Sequence, residues 1–424
     1  MSPLRQSAAS SSSTRVTMGV WNRALVIVLG ILLVSWGGPA ASAFWSSVNS
    51  GFGAAKADAV AQGAKPTTSV SGASVTVTWA ASTTAAGRSV TGYSIARYAS
   101  ASGGTAVAAA GTCAGTVAGL SCVDSGVATG NWYYTVTPKL SQWQGTESTR
   151  SAVTAVDATP PLAPSVTAPT YVHSGNVNAV PVTGTAEALS SVALTVTGTG
   201  AQPLTQTVSA NSSGNWTATP MNMSAFSPGT IGYSAQATDA AGNTGPAGTA
   251  SSIKDVSSPT VTGVQLNNGG ATPGKVEKGD SVTITFSEPI NPTTICSVWA
   301  NNTTNVQTQA GNNADNVIVN VSSTNTLTVT GAGCPTLRVG SVALGGNYTS
   351  SAISFSGNGG NASSLSWNPT ARTLTITLGS GTAGSNTVST SPTPVPSYTP
   401  ASGITDIASN PLSTNTVTGA TSRF

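Results

Sequence analysis

The feature that most constrains this chain is a strict two-residue alternation of apolar side chains with threonine. It recurs at Val75-Thr-Val77-Thr-Trp79, Leu194-Thr-Val196-Thr, Val282-Thr-Ile284-Thr-Phe286, Leu327-Thr-Val329-Thr and Leu374-Thr-Ile376-Thr-Leu378. A period of two puts one set of side chains on each face of a pleated strand, so each segment buries one face and wets the other. Past residue 60 no apolar period of 3.6 is sustained. The 47 glycines and 24 prolines recur between the short runs as turn residues, and the expectation is an all-β chain.

The wetted face carries hydroxyls where most proteins carry charge. Charged residues are 6% of the 424, against about 25% in an ordinary globular chain. Fifteen basic and twelve acidic residues give a formal +3, too little and too scattered for a nucleic-acid face. Disorder normally accompanies high net charge and few β-branched residues, the opposite of this pattern. A single histidine excludes multi-histidine metal centres.

Residues 1–43 read as a secretory signal helix: Arg5, Arg15 and Arg23, an apolar run from Ala24 to Val34, then Ala41-Ser-Ala43. The competing reading is an uncleaved N-terminal membrane anchor, since Ala24 to Ala43 is uncharged and long enough to span a bilayer. All three leader charges are arginine, so the remaining chain carries twelve basic against twelve acidic side chains. Near-zero net charge favours association. With few lysines to guard sheet edges, self-assembly is an expectation. The setting implied is extracellular or cell-surface. There, an even cysteine count partitioned as Cys113 with Cys122 and Cys296 with Cys334 suggests two local disulfides, although four cysteines allow three connectivities.

After a lead-in at 44–69, a flexible tether or a first β-arm, three modules are expected, at 70–158, 159–257 and 258–424. The first carries Val75 to Trp79, then Val90-Thr-Gly-Tyr-Ser-Ile95-Ala-Arg-Tyr98, then Trp132-Tyr-Tyr134-Thr-Val136, an order that resembles the fibronectin type III fold. That family's corner tyrosine falls at Trp132 here, which leaves the sandwich expected and its corner hydrogen bond open. In the second, Gly232-Tyr-Ser-Ala-Gln-Ala-Thr-Asp-Ala-Ala-Gly-Asn243 resembles bacterial Ig-like domains of surface proteins, which turn through this Asp and Asn into their last strand. A turn role for Asp239 and Asn243 outweighs calcium binding. In the third, Lys278-Gly-Asp280 through Phe286-Ser-Glu288-Pro-Ile290, with Gly403-Ile-Thr-Asp406-Ile-Ala-Ser-Asn410-Pro411, resembles Ig-like modules of S-layer and envelope proteins. Ser409 replaces the glycine usual before the asparagine, so the geometry of that turn is open. The Thr- and Pro-rich stretch 387–400 reads as a long loop.

These resemblances imply tandem Ig-like and fibronectin type III-like sandwiches in a non-enzymatic secreted or surface protein, a structural or adhesive stalk or an assembly subunit. Cell-wall glycan, a surface protein or a second copy are the candidate partners; nucleic acid is not, and a membrane enters only through an uncleaved leader. The alternative is a carbohydrate-binding accessory to polysaccharide breakdown, with Trp143 as the possible ligand contact. No catalytic, cofactor or metal motif emerges. Glu277, Asp280 and Glu288 read as turn and strand-end residues, and His173 sits in a loop without a sequence-fixed acid partner.

Overall fold

The computed structural model describes residues 58–301, 304–310, 317–331, 333–381 and 394–424; the leader and residues 44–57 lie outside these. The described residues are all-β apart from single helical turns, and they fall in two compact units that meet between Thr159 and Pro160. Among the described residues no helix is long and apolar enough to cross a membrane.

The first unit holds one sandwich. Strands Thr67–Ser71, Ser74–Thr78 and Ser121–Asp124 form one sheet in that order. In the other, Val107–Ala108, Gly92–Tyr98, Gly130–Leu140 and Trp143–Gln144 lie side by side, with Thr154–Val156 paired to the start of Gly130–Leu140. Val75 and Val77 point inward from the alternating strand, and Trp79 just beyond it meets Tyr93 edge-to-face at 5.3 Å. Of the two readings of the lead-in, its described end, residues 58–69, fits the β-arm and not the flexible tether. Asp58 caps Ala59 and Ala86, Gly63 donates to Thr146 O at 3.0 Å, and Thr67–Ser71 pairs with Ser74–Thr78. Gly63 lies so close to its neighbour that a Cβ there would fall 2.0 Å from Val136 O. Glycine is needed because backbone packs on backbone.

Within the second unit, residues 160–257 build a sandwich of a two-stranded sheet, Thr183–Thr185 with Asn215–Thr217, against a five-stranded one. The latter runs Leu204–Ser209, Ser191–Thr197, Gly229–Thr238, Thr244–Lys254, Tyr171–Val172, the last pairing parallel. Its core gathers Val192, Leu194, Val196, Trp216, Phe226, Ile231 and Tyr233. The third sandwich is larger. Val261–Asn267, Ser281–Phe286, Thr373–Thr377, Ser364–Asn368 and Gln307–Ala310 face a sheet of Ile353–Phe355, Val317–Val321, Thr326–Gly331, Ser341–Ala343, Ser397–Thr399 and Val417–Thr418. Phe286 and Trp367 meet edge-to-face at its centre, 5.7 Å apart.

Part of the stretch read as a loop is in this second sheet. Residues 387–393 lie outside the described set, but Ser397–Thr399 is a strand between Ser341–Ala343 and Val417–Thr418. Tyr398, fully buried, drives this: its hydroxyl donates to Val339 O, and the flanking Pro394, Pro396 and Pro400 are buried too. Prolines frame a strand without interrupting its ladder.

Candidate functional site

Buried charge in a chain so poor in charge marks where structure depends on it. In the first sandwich, Asp124 is fully buried and accepts from Arg97 Nη1 at 2.7 Å, Tyr134 Oη at 2.9 Å and Ala110 N at 2.6 Å. Burial, then the Asp124 carboxylate, pushes the Tyr134 phenol far up, so it remains a donor. Arg97 also covers the ring of Trp132 at 5.2 Å. Trp132 Nε1 donates to Ala128 O at 2.8 Å. An aromatic at the corner position reaching back to backbone a few residues upstream is what the family's tyrosine does. Tryptophan makes the corner bond here with its indole N–H.

Trp143 is half-buried in a two-residue strand, opposite Leu140. Cys113 is bonded to Cys122 and Cys296 to Cys334. Glu277, Asp280 and Glu288 are not brought together as a group. Asp280 accepts from Gly269 N, Gly270 N and Glu277 N, shaping the turn before its strand, whereas Glu288 lies at the opposite end of that strand, Ser281–Phe286.

The turns at Asp239 and Asp406 are one device used twice. In each, the aspartate N–H donates to the asparagine carbonyl at 3.0 Å. The asparagine N–H reaches aspartate Oδ1 at 2.8 Å, and its Nδ2 reaches Oδ2 at 2.9 Å. Hydrogen bonds from Asn243, side chain first, hold the Asp239 carboxyl below the usual carboxylate range. The residue before the asparagine is left-handed in both, Gly242 at φ 91° and Ser409 at φ 78°. Ser409 therefore keeps the glycine's geometry, against the steric preference of its Cβ.

The Asp406–Asn410 turn does more than close a hairpin. Asn410 is fully buried; its Nδ2 also donates to Asp255 O at 2.9 Å and its Oδ1 accepts from Ser174 N at 2.8 Å. Both partners belong to the end of the second sandwich, where Asp255 N donates to Val172 O at 2.9 Å. One asparagine thus ties the hairpin of the third sandwich to two segments of the second. Beside it, the carboxylates of Asp255, Glu288 and Asp406 bring oxygens within 4.8 Å of one another. Burial, then the charges of Asp255 and Asp406, pushes the Glu288 carboxyl above the usual glutamate range. Three carboxylates are the oxygen donor set that hard divalent cations take, and among the described residues this is the group that could hold one. By sequence Asp406 falls in a turn and Glu288 at a strand end, and nothing in the sequence connects them. The available signal is the repeated Asp-x-x-x-Asn spacing at 239/243 and 406/410.

Next to the junction, Lys254 is almost fully buried and donates to Met223 O and Ser224 O, each at 2.9 Å, and to Phe226 O. Its ammonium fixes the loop before strand Gly229–Thr238. Burial lowers its pKa from the ordinary lysine value.

No protein-family model matches the chain, and no curated protein matches it. Among solved structures it is similar to a tetra-tandem repeat in the extending region of a large adhesion protein, at 14% identity over 85% of this chain and 89% of that one, TM-score 0.24. It is also similar to the FN1–FN3 domains of chicken CNTN1, at 11% over 84% and 97%, TM-score 0.23. A third likeness is to a structure concerning host cell surface retention of a 1.5-MDa bacterial ice-binding adhesin, at 13% over 85% and 96%, TM-score 0.30. At such identities and TM-scores the likeness assigns neither activity nor partner.

Proposed function

We propose that this chain is a non-enzymatic, secreted modular protein that serves as a structural or adhesive spacer at the outside of a bacterial cell. The observation that carries the reading is the use made of buried polar groups at the junction of the second and third sandwiches. Asn410 spends its amide on holding two modules together. Buried charges are used in the same way: Asp124, Lys254 and Asp280 are each bound to neighbouring backbone or side chains and fix a loop. Groups committed in this way give geometric rigidity, which a spacer requires and which a reactive centre, with its need for an uncommitted group, does not. Two intramodular disulfides suit an oxidising exterior.

Fractionation of the producing cell tests the proposal. The expected result is a chain outside the cytoplasm, associated with the cell surface, carrying no free thiol under denaturing alkylation. A reduced chain confined to the cytoplasm would overturn it.

A further inference from the structure

A sheet edge is a row of unpaired N–H and C=O groups, and proteins blunt such rows by keeping edge strands short, covering them, or setting lysine or proline along them. Among the described residues most edges of this molecule are treated in this way. Val107–Ala108, Trp143–Gln144, Tyr171–Val172 and Val417–Thr418 are two residues long. Ile353–Phe355 and Gln307–Ala310 run to three and four. Val261–Asn267 is longer but covered: Leu266 N donates to Ser422 Oγ at 3.0 Å, and a Cβ on Gly419 would fall 2.0 Å from Val264 O. On Ser121–Asp124, Val123 N donates to Thr112 Oγ1 at 2.7 Å. Thr67–Ser71 has Thr154 beside it, its hydroxyl 2.8 Å from that of Thr68.

Leu204–Ser209 differs. It is the end strand of the five-stranded sheet in the second sandwich, six residues long, with neither proline nor charge in it. Charge is absent well beyond the strand too, since from Ala188 to Thr238 the chain has no Asp, Glu, Lys, Arg or His. Its ladder to Ser191–Thr197 fixes which backbone groups are free. Ala210 N donates to Ser190 O at 2.9 Å, and the antiparallel register continues as Ser209 with Ser191 and Thr205 with Thr195. Bonded and non-bonded pairs alternate along such a ladder. Leu204, Gln206 and Val208 therefore bond to the neighbouring strand, and the N–H and C=O groups of Thr205, Thr207 and Ser209 point away from the sheet. The side chains of those three residues are exposed as well. Gln206 holds the strand in place from behind: its carboxamide accepts from Thr219 N and donates to Thr219 O, both at 3.0 Å. An edge already fixed in extended form gives up little freedom when it pairs.

The strand is its own complement. Turned antiparallel about a two-fold axis through Thr207, it sets Thr207 opposite Thr207 of a second copy and Thr205 opposite Ser209. These are the residues with free backbone groups, and each such pair exchanges two N–H···O bonds. On the outer face hydroxyl meets hydroxyl, a favourable cross-strand pair. The chain joins its own strands by the same pairs: Thr78 with Ser121 at 3.3 Å, Thr238 with Thr244 at 3.0 Å and Thr308 with Ser366 at 3.1 Å. We propose that Leu204–Ser209 is a homodimerisation edge, at which two copies of this chain pair antiparallel about Thr207 and join their five-stranded sheets into one. A two-fold contact uses the same edge on both copies, so it closes at the dimer. The contact does not depend on where the chain resides.

Thr207 faces itself across the axis, so a charge placed there meets its like. Thr207→Lys and Thr207→Glu each alter an exposed side chain, and sedimentation velocity of the full chain over a concentration series reads the association. Wild type should dimerise with a Kd on the order of 10 µM. Each variant should weaken the dimer about tenfold or more. An equimolar mixture of T207K and T207E should recover a dimer at least as tight as wild type, because opposite charges then meet. A wild type that stays monomeric at about 1 mM overturns the inference. So does a dimer that both variants leave within about twofold of wild type, which would put association on another face. A mixture as weak as its components overturns it too, since the axis then lies elsewhere. Wild type alone gives a second readout: exchange of the Thr205, Thr207 and Ser209 amides should slow as the dimer fills. A dimer that leaves those amides unchanged would overturn the inference even if a variant failed to fold.

Discussion

Replacing Asn410 with alanine should cost far more than one buried amide in a hairpin would suggest. The substitution removes three side-chain hydrogen bonds: Nδ2 to the Asp406 carboxylate, Nδ2 to Asp255 O, and Ser174 N to Oδ1. A neutral bond contributes about 1 kcal/mol and one to a charged group about 1.5–3 kcal/mol, with a further cost for donors left buried, so the loss should be about 3–5 kcal/mol. Asn325→Ala is the matched comparison. Asn325 lies in the third sandwich, left-handed at φ 57°, and its Oδ1 accepts from Tyr348 N at 2.6 Å and Thr349 N at 2.9 Å. Its loss should cost about 2–4 kcal/mol without crossing a junction. Urea denaturation gives both magnitudes, and hydrogen exchange gives their reach. Asn410→Ala should deprotect the Ser174 and Asp255 amides in the second sandwich, and Asn325→Ala should leave them protected. A loss below about 1 kcal/mol for Asn410→Ala, or unchanged protection at Ser174, would show that Asn410 does not tie the third sandwich to the second.

Ser409→Gly should stabilise the third sandwich by about 0.5–1 kcal/mol by removing a Cβ from a left-handed position, as read by urea denaturation. Trp132→Phe keeps an aromatic beside Arg97 but loses the Nε1 bond to Ala128 O, so the first sandwich should lose about 1–2 kcal/mol in the same assay. Glu288→Gln should stabilise the protein at neutral pH. A carboxyl whose folded pKa is raised binds more protons folded than unfolded, so its contribution to stability falls as pH rises from the ordinary glutamate range through the raised value. Melting curves should therefore show the gain at pH 7 and none once the pH drops below about 4.3.

The parts of this molecule governed by local pattern were open to reading from sequence, and the parts governed by distant backbone were not. Alternation located the strands at Val75, Leu194, Val282, Leu327 and Leu374 because side-chain period is a property of the strand itself. Trp132 showed where the corner bond of the first sandwich should be, but not that an indole could make it. The lead-in left a tether and a β-arm both open because Gly63 and its small neighbours have little to bury. Their pairing is with backbone at Thr146 and Thr83, which no composition reports. Tyr398 was hidden among prolines for the same reason. At the junction, Asp255, Glu288 and Asp406 come from three segments far apart in the chain, and the two Asp-x-x-x-Asn turns are alike in sequence. What distinguishes the second is the surface that Asn410 faces, which only the tertiary arrangement supplies.

Asn410 bonds to Ser174 and Asp255 of the second sandwich from a turn of the third, and such bonds should fix the orientation of one sandwich on the other. Residual dipolar couplings of the full chain, fitted separately for residues 165–255 and 260–424, test it most directly. A single alignment tensor, equal in magnitude and orientation for both, is expected in the wild-type protein and should split in Asn410→Ala. Two different tensors in the wild-type protein would contradict it.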